Sequence, residues 1–302
     1  MARRVEQKAA ARERIAAQLA AQQAAERRRR LLLAVGAVVL VVVIVGGLVA
    51  IRLAGGGKKT ATGASGSADS SLVTSLSSVP DSAFSTVGSD GVKAAPSAIT
   101  APALTASGKP KVLYIGAEFC PYCAAERWPV TVALSRFGTF SNLGTTHSAG
   151  ADVFPNTATL SFHGATYTSQ YLSFTGVETK TNEQEGNDYK PLDTPTAEDQ
   201  KTFDTYNKPP YVPSPDSIPF IDLGGKYVGS GATYSPEVLA GKTQAQIADA
   251  LKDPSSPIAK AVLGSANVYT AAICKLTNNQ PAKVCSTDTV TAAASKLGAG
   301  KS

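Results

Sequence analysis

The chain has 302 residues, a length that allows one or two domains, and a formal net charge of +6. Residues 1–30 carry nine Lys/Arg against three acids, so the whole excess sits in one short tail and the remainder is balanced at 20 basic to 20 acidic residues. Basicity confined in this way excludes reading the charge as a nucleic-acid-binding surface.

In chain order, residues 1–30 are rich in Ala, Gln and Arg and are predicted to be a cytoplasmic basic helical tail. Its simplest role is topogenic, and contact with anionic lipid headgroups is the alternative. Leu31 to Ile51 holds 21 residues without a charge. As a helix it would be about 31 Å long, enough to cross a hydrocarbon core. No small-residue cleavage site or lipobox cysteine accompanies it, so an uncleaved transmembrane anchor in the lipid bilayer is expected. Arg27–Arg30 before it outweigh Arg52, Lys58 and Lys59 after it, which places the N-terminus in the cytoplasm and the rest outside. Residues 52–71 form a Gly/Ser/Ala linker that lets residues 72–302, the extracytoplasmic domain, stand off the membrane. A short helical piece is expected within Leu72–Gly88, beginning at Pro80, followed by an irregular lead-in over 89–108.

Lys109 to Cys123 reads KPKVLYIGAEFCPYC. Val112–Ile115 suits a short buried strand, Gly116–Phe119 a turn, and the residues after Cys123 a helix that Pro129 would kink or restart. Cys120 and Cys123 therefore sit at a strand-to-helix junction. Free backbone N–H groups and the helix dipole favour negative charge there, and a thiolate is the attacking species in disulfide exchange. Cys120 is the expected nucleophile. Cys123, one turn on, is the expected resolving thiol. Pro121 fits the first helical turn. Glu118 and Glu126 flank the pair, and each reads either as a proton acceptor for Cys123 or as a solvated carboxylate. A CxxC can also be half a zinc site, with Cys274, Cys285, His147 or His163 supplying the remainder, but the spacing of the second pair does not suit a compact four-cysteine knuckle, and no metal is expected. Trp128 and Phe137 are expected core residues.

Residues 139–215 are expected to be mostly an insertion, with strand character in Thr159–Val177 around a His163-Gly164 turn and a short helix at Thr196–Tyr206. The run DSIPFIDLGGKYVGSG follows: an Ile218-Pro219 step, a strand over Phe220–Leu223, a Gly224-Gly225 turn and a strand over Lys226–Gly229. Helices are predicted from Ser235-Pro236-Glu237, over Thr243–Lys252, from Ser256-Pro257 to about Leu276, and over Ser286–Leu297. Four cysteines allow three connectivities. The local one, with Cys274–Cys285 as a structural staple, is preferred over a second redox pair that relays electrons to Cys120–Cys123.

A CxxC between strand and helix, with an X-Pro step opening a later strand, resembles the thioredoxin superfamily, in which a cis-proline loop faces the cysteines and holds the substrate backbone. The resemblance implies an α/β fold: a thioredoxin-like central sheet with an insertion and added C-terminal helices. It also implies Cys120 and Cys123 as the redox pair and Ile218-Pro219 as the substrate loop. The 99 residues from Cys120 to Pro219 require an insertion, as in periplasmic disulfide oxidoreductases. Where thioredoxins place a buried acid on the preceding strand, this sequence has Tyr114. The longer phrase from Gly116 to Gly164 resembles a membrane-anchored actinobacterial family, domain-of-unknown-function family 929, over roughly residues 72–298.

Two functions follow as expectations. One is a membrane-tethered thiol–disulfide oxidoreductase acting on extracytoplasmic protein thiols and disulfides, without a diffusible cofactor and reset by a membrane redox partner. The other is a thioredoxin-like binding or scaffold module in which the CPYC disulfide is inert.

Overall fold

The structure, a computed structural model, describes residues 66–68 and 70–298. The basic tail, the 31–51 segment and most of the 52–71 linker lie outside the described residues. Among the described residues, no helix is long and apolar enough to cross a membrane.

A short strand β1 (Gly66–Ser67) is followed by helices α1 (Ser70–Ser77) and α2 (Asp81–Val87). The single helical piece expected in this stretch is thus two, separated by Pro80, which precedes the first turn of α2. Strands β2 (Ser97–Ala98) and β3 (Thr105–Ala106) lead into β4 (Lys109–Gly116), the strand on which the central sheet is built. Helix α3 (Pro121–Ser135) leaves β4 through a four-residue turn. Next come β5 (Gly138–Ser141), β6 (Gly144–His147), β7 (Ala158–Ser161), β8 (Thr166–Ser169) and β9 (Ser173–Glu178). β10 (Lys180–Glu185) and β11 (Asp188–Pro191) form a hairpin, and α4 (Ala197–Tyr206) follows, capped by Thr196. β12 (Phe220–Leu223) and β13 (Tyr227–Ser230) are joined through Gly224-Gly225. Ser235 caps a 3-10 turn at Pro236–Leu239, and α5 (Gln244–Ala250), α6 (Pro257–Leu276), α7 (Ala282–Cys285) and α8 (Asp288–Ala293) complete the chain.

The architecture is mixed α/β, with a central mixed sheet and C-terminal helices. β4 pairs in parallel with β9, from Lys111↔Ser173 to Gly116↔Glu178. It pairs antiparallel with β12 on its other side, Ile115 opposite Phe220 and Val112 opposite Leu223. β13 continues the sheet beyond β12, β2 forms that edge, and β3 pairs with the start of β4. The last six residues of β4 are buried, as expected of a central strand covered on both faces. Val112 and Tyr114 face the main core with Ile221 and Leu223, under α3 and α6. Leu113 and Ile115 face the opposite side, with Leu104 and Val177, where Phe203 of α4 packs on them. β9 lies inside the 139–215 stretch, so part of that stretch is central sheet. The rest builds the small β5–β8, β1–β6–β7 and β10–β11 sheets. β7 and β8 flank His163-Gly164 but do not pair with each other.

Pro129 neither breaks nor restarts α3, which runs unbroken for 15 residues. A proline inside a helix, through the lost hydrogen bond and the clash of its ring together, costs about 3 kcal/mol. That cost is outweighed because every side chain from Cys123 to Leu134 is buried. The 20-residue α6 packs along α3 with an equally buried, alanine-rich surface. The last helix is shorter than Ser286–Leu297: α8 ends at Ala293 and passes into a 3-10 turn at Ala294–Lys296.

Cys274 and Cys285 are joined in a disulfide with a Cα–Cα distance of 5.6 Å, which ties the end of α6 to α7. Both residues are buried in the main core. Replacing both with serine is expected to lower the unfolding free energy by on the order of 3 kcal/mol, read by urea denaturation, while leaving the alkylation rate of Cys120 unchanged. A changed rate would instead support an electron relay between the two pairs.

Candidate active site: a cysteine pair at a helix N-terminus

β4 delivers the chain to Gly116, and the turn Ala117–Phe119 carries it to Cys120, the N-cap of α3. The turn is held from one side by the β9–β10 junction: Thr179 N donates to Gly116 O at 2.8 Å and Glu118 N to Lys180 O at 2.9 Å. Ala149 N donates to Phe119 O at 2.8 Å from another side. Phe119 stacks on Tyr189 of β11 with ring centroids 4.2 Å apart. Glycine is required at 116, because a Cβ there would lie 2.6 Å from the Tyr114 hydroxyl, whose ring folds beneath the turn.

The Cys120 sulfur accepts the Cys123 N–H at 3.3 Å, the capping bond that a helix N-terminus leaves open. Its thiol lies 3.8 Å from Ile218 O and donates to it. The Ile218–Pro219 bond is cis, and Pro219 O accepts from Gly231 N at 2.8 Å, which fixes the loop to the end of β13. The fold therefore brings Cys120, Cys123 and Ile218-Pro219 together. Both thiols are free; Cys120 is 6% exposed and Cys123 is fully buried. Tyr122 is 43% exposed and meets Phe154 edge-on, so an aromatic rim borders the pair.

The two sulfurs differ electrostatically. The hydrogen bond with the Cys123 side chain holds the Cys120 thiol below its usual range, against the effect of burial. The Cys123 and Tyr122 N–H groups and the Arg127 charge act in the same direction as that bond. Burial pushes the Cys123 thiol well up, and the Cys120 side chain and Glu178 add to this, while Arg127 opposes it. This division suits one attacking and one resolving thiol.

Glu118 and Glu126 are both buried. They are not the solvated carboxylates of the alternative reading. Glu118 Oε1 accepts from Ser161 Oγ at 2.6 Å. Glu126 turns toward α6, accepting from Thr233 N at 2.8 Å, from Thr233 Oγ1 and, through a very short bond, from the Tyr269 hydroxyl. The hydrogen bonds given for Glu126 go to Thr233 and Tyr269 rather than to a cysteine. His147 Nδ1 lies 2.9 Å from Ser148 O, and His163 pairs with Asp193 at 2.7 Å. Among the described residues, no group of three or more His, Cys, Asp or Glu is placed to hold a metal ion.

Two residues of the site were not anticipated. Arg127 and Glu178, both fully buried, form a two-pronged pair at 2.7 and 2.6 Å, and Arg127 also donates to Ala117 O at 2.8 Å. Arg127 lies four residues after Cys123 and so on the same helix face as the buried sulfur, which is the signal that could have found it. Glu178 carried no comparable sign.

The chain belongs to the family described as Domain of unknown function (DUF929), which it matches over residues 97–190 and 186–275. No curated protein and no solved structure matches the chain.

Burial raises the Glu126 carboxyl from an ordinary 4.5 to about 7, against its hydrogen bonds from Tyr269 and Thr233. A carboxyl raised on folding is favoured in its neutral form, so its stabilisation is complete below the unfolded value and is lost as pH rises toward 7. Across that window the loss is on the order of 3 kcal/mol. Asp222, raised to about 6 by burial, contributes with the same sign. Urea titrations at pH 5 and pH 7.5 are expected to show this fall, and Glu126→Gln is expected to remove most of it.

Proposed function

We propose that the chain is a membrane-tethered, extracytoplasmic thiol–disulfide oxidoreductase of thioredoxin-like build. The observation that carries this reading is the contact of the Cys120 thiol with Ile218 O across 98 residues of sequence. It joins the reactive end of a CxxC helix to the loop that opens a sheet strand. The strand order β9–β4–β12–β13, with one parallel and two antiparallel pairings, is the arrangement expected of a thioredoxin-like core. The tether rests on the arginine-flanked apolar run at 31–51.

The chemistry is exchange between one dithiol and one disulfide. The Cys120 thiolate attacks a protein disulfide, forming a mixed disulfide and releasing one substrate sulfur as a thiolate that takes up a proton. Cys123 then loses its proton, which the released substrate thiolate takes up, and attacks the Cys120 sulfur. The Cys120–Cys123 bond forms and the second substrate sulfur leaves. The enzyme dithiol loses two electrons and the substrate disulfide gains them. Run backwards, the same steps oxidise a protein dithiol. The extended backbone beside the mixed disulfide would lie against Ile218-Pro219.

Cys123→Ser removes the resolving sulfur and is expected to accumulate extracytoplasmic proteins on Cys120 through reducible bonds, seen as mobility shifts on non-reducing gels. Cys120→Ser is expected to abolish them. The burial of Cys120 favours the second reading, a binding module with an inert pair. Failure to trap any thiol protein, together with a Cys120 unreactive to a small alkylating agent, would decide for that module.

A further inference from the structure

The resolving step sets an electrostatic problem. Cys123 must become a thiolate in a place with no access to water. The charge in the mixed disulfide is not shared, because the Cys120 sulfur is then bonded to substrate. Hydroxyl and backbone donors are scarce: the Tyr114 hydroxyl is engaged with Cys123 O at 3.4 Å. Glu126 is turned away from the sulfur, toward Thr233 and Tyr269.

Arg127 supplies what is missing. It lies one turn beyond Cys123 on the same helix and is fully buried. Three of its donor bonds are made, two to Glu178 and one to Ala117 O. Its Nη1 group has no hydrogen-bond partner although it is sealed from solvent. A buried guanidinium with a vacant donor is costly unless the vacancy is used. We propose that Arg127 is the positioning residue of the resolving step: its charge holds the negative charge that Cys123 carries as it displaces substrate from Cys120. Glu178 has the opposite sign and tempers this effect, leaving Cys123 protonated at rest and able to attack only transiently.

The groups facing the pair from neighbouring elements are Tyr114 of β4, Glu178 of β9, Cys120 at the N-cap and Arg127 itself, with Glu118 of the turn acting on Glu178. The charges of Arg127 and Glu178 can be altered without touching a sulfur. Arg127 acts through its field, so its effect is on how readily Cys123 loses its proton. The inference rests on the exchange reading of the site.

The test uses the full chain and an aromatic disulfide, dithiobis-nitrobenzoate. Cys120 attacks it and releases one coloured thionitrobenzoate. Cys123 then releases a second, and the rate of this second phase against pH reports its deprotonation. Arg127→Met/Glu178→Met removes both charges at once and avoids a lone buried ion. Its second phase is expected to be at least about tenfold slower at neutral pH and to recover as pH rises, for a Cys123 pKa raised by a unit or more. Glu178→Gln is expected to move the profile the opposite way, with the second phase faster at neutral pH. Arg127→Lys is expected to fall between native and double variant. Should the double variant not fold, the opposed shifts of Glu178→Gln and Arg127→Lys carry the decision, since general damage would slow both. Second-phase profiles that superpose on the native one would overturn the role of Arg127 while leaving exchange intact. Absence of both phases in the native chain would overturn the exchange reading itself.

Discussion

The ion pair between Arg127 and Glu178 is what the cysteine end of this fold is assembled on. Both partners are sealed from water. Alone, either charge would cost several kcal/mol, so the helix and the strand that carry them are acceptable only together. Arg127 also takes the carbonyl of Ala117 as β4 ends, and Asp193 holds the Glu178 N–H at 3.1 Å. One guanidinium thereby fixes the rotation of α3, the exit of β4 and the register of β9. A slip of one residue in β9 would turn Glu178 to the other face and strand the arginine. The pair is better understood as a device of specification than as a source of net stability, because a well-packed apolar pair could stabilise as much.

That fixed geometry explains why the helix end is held so closely. Three successive carbonyls near the start of α3 receive hydroxyls from different elements: Cys123 O from Tyr114, Ala124 O from Thr159 and Ala125 O from Tyr234. Trp128 Nε1 donates to Ala158 O at 3.2 Å. Glu126 ties the same helix to Thr233, two residues beyond Gly231, whose N–H is bound to Pro219 O. The loop opposite Cys120 is thus braced through Thr233 and Glu126 to the helix that carries Cys120. The carboxylate considered at first as a proton acceptor is placed as a brace between the two halves of the site.

Much of this was legible in the residues. The strand–turn–helix around Cys120 was visible because its strand is an apolar run of β-branched and aromatic residues around Leu113 and its turn is marked by glycine. Phe220–Leu223 was found with its bounds, since Pro219 and Gly224 punctuate both ends. Thr196, Thr243 and Ser256 each cap the helix they announce. What was not legible depended on partners distant in sequence. β9 reads SFTGVE, with little hydrophobic pattern of its own, and belongs in the central sheet because β4 lies beside it. Glu178 at its end is an ordinary acid until Arg127 meets it from 51 residues away. Pro129 is the opposite case: the restart that a local rule allows does not occur, because α3 is packed on every side.

The approach to the sulfurs is shaped mainly by the stretch read as insertion. The β10–β11 hairpin places Tyr189 on Phe119, and the segment after β6 places Phe154 against Tyr122 and Ala149 on the turn carbonyl. These contacts hold the residues on either side of Cys120 in the chain, Phe119 and Tyr122, and Tyr122 is the exposed ring next to it. Val153, the most exposed large apolar side chain among the described residues, lies next to Phe154. Under the exchange reading, a partner has to reach Cys120 past Tyr122 and Phe154 and over the loop at Pro219. On that reading, the 6% exposure of Cys120 favours a cysteine on an extended segment over one on a bulky folded surface, because such a segment can bring its sulfur in line with a thiolate that is almost covered.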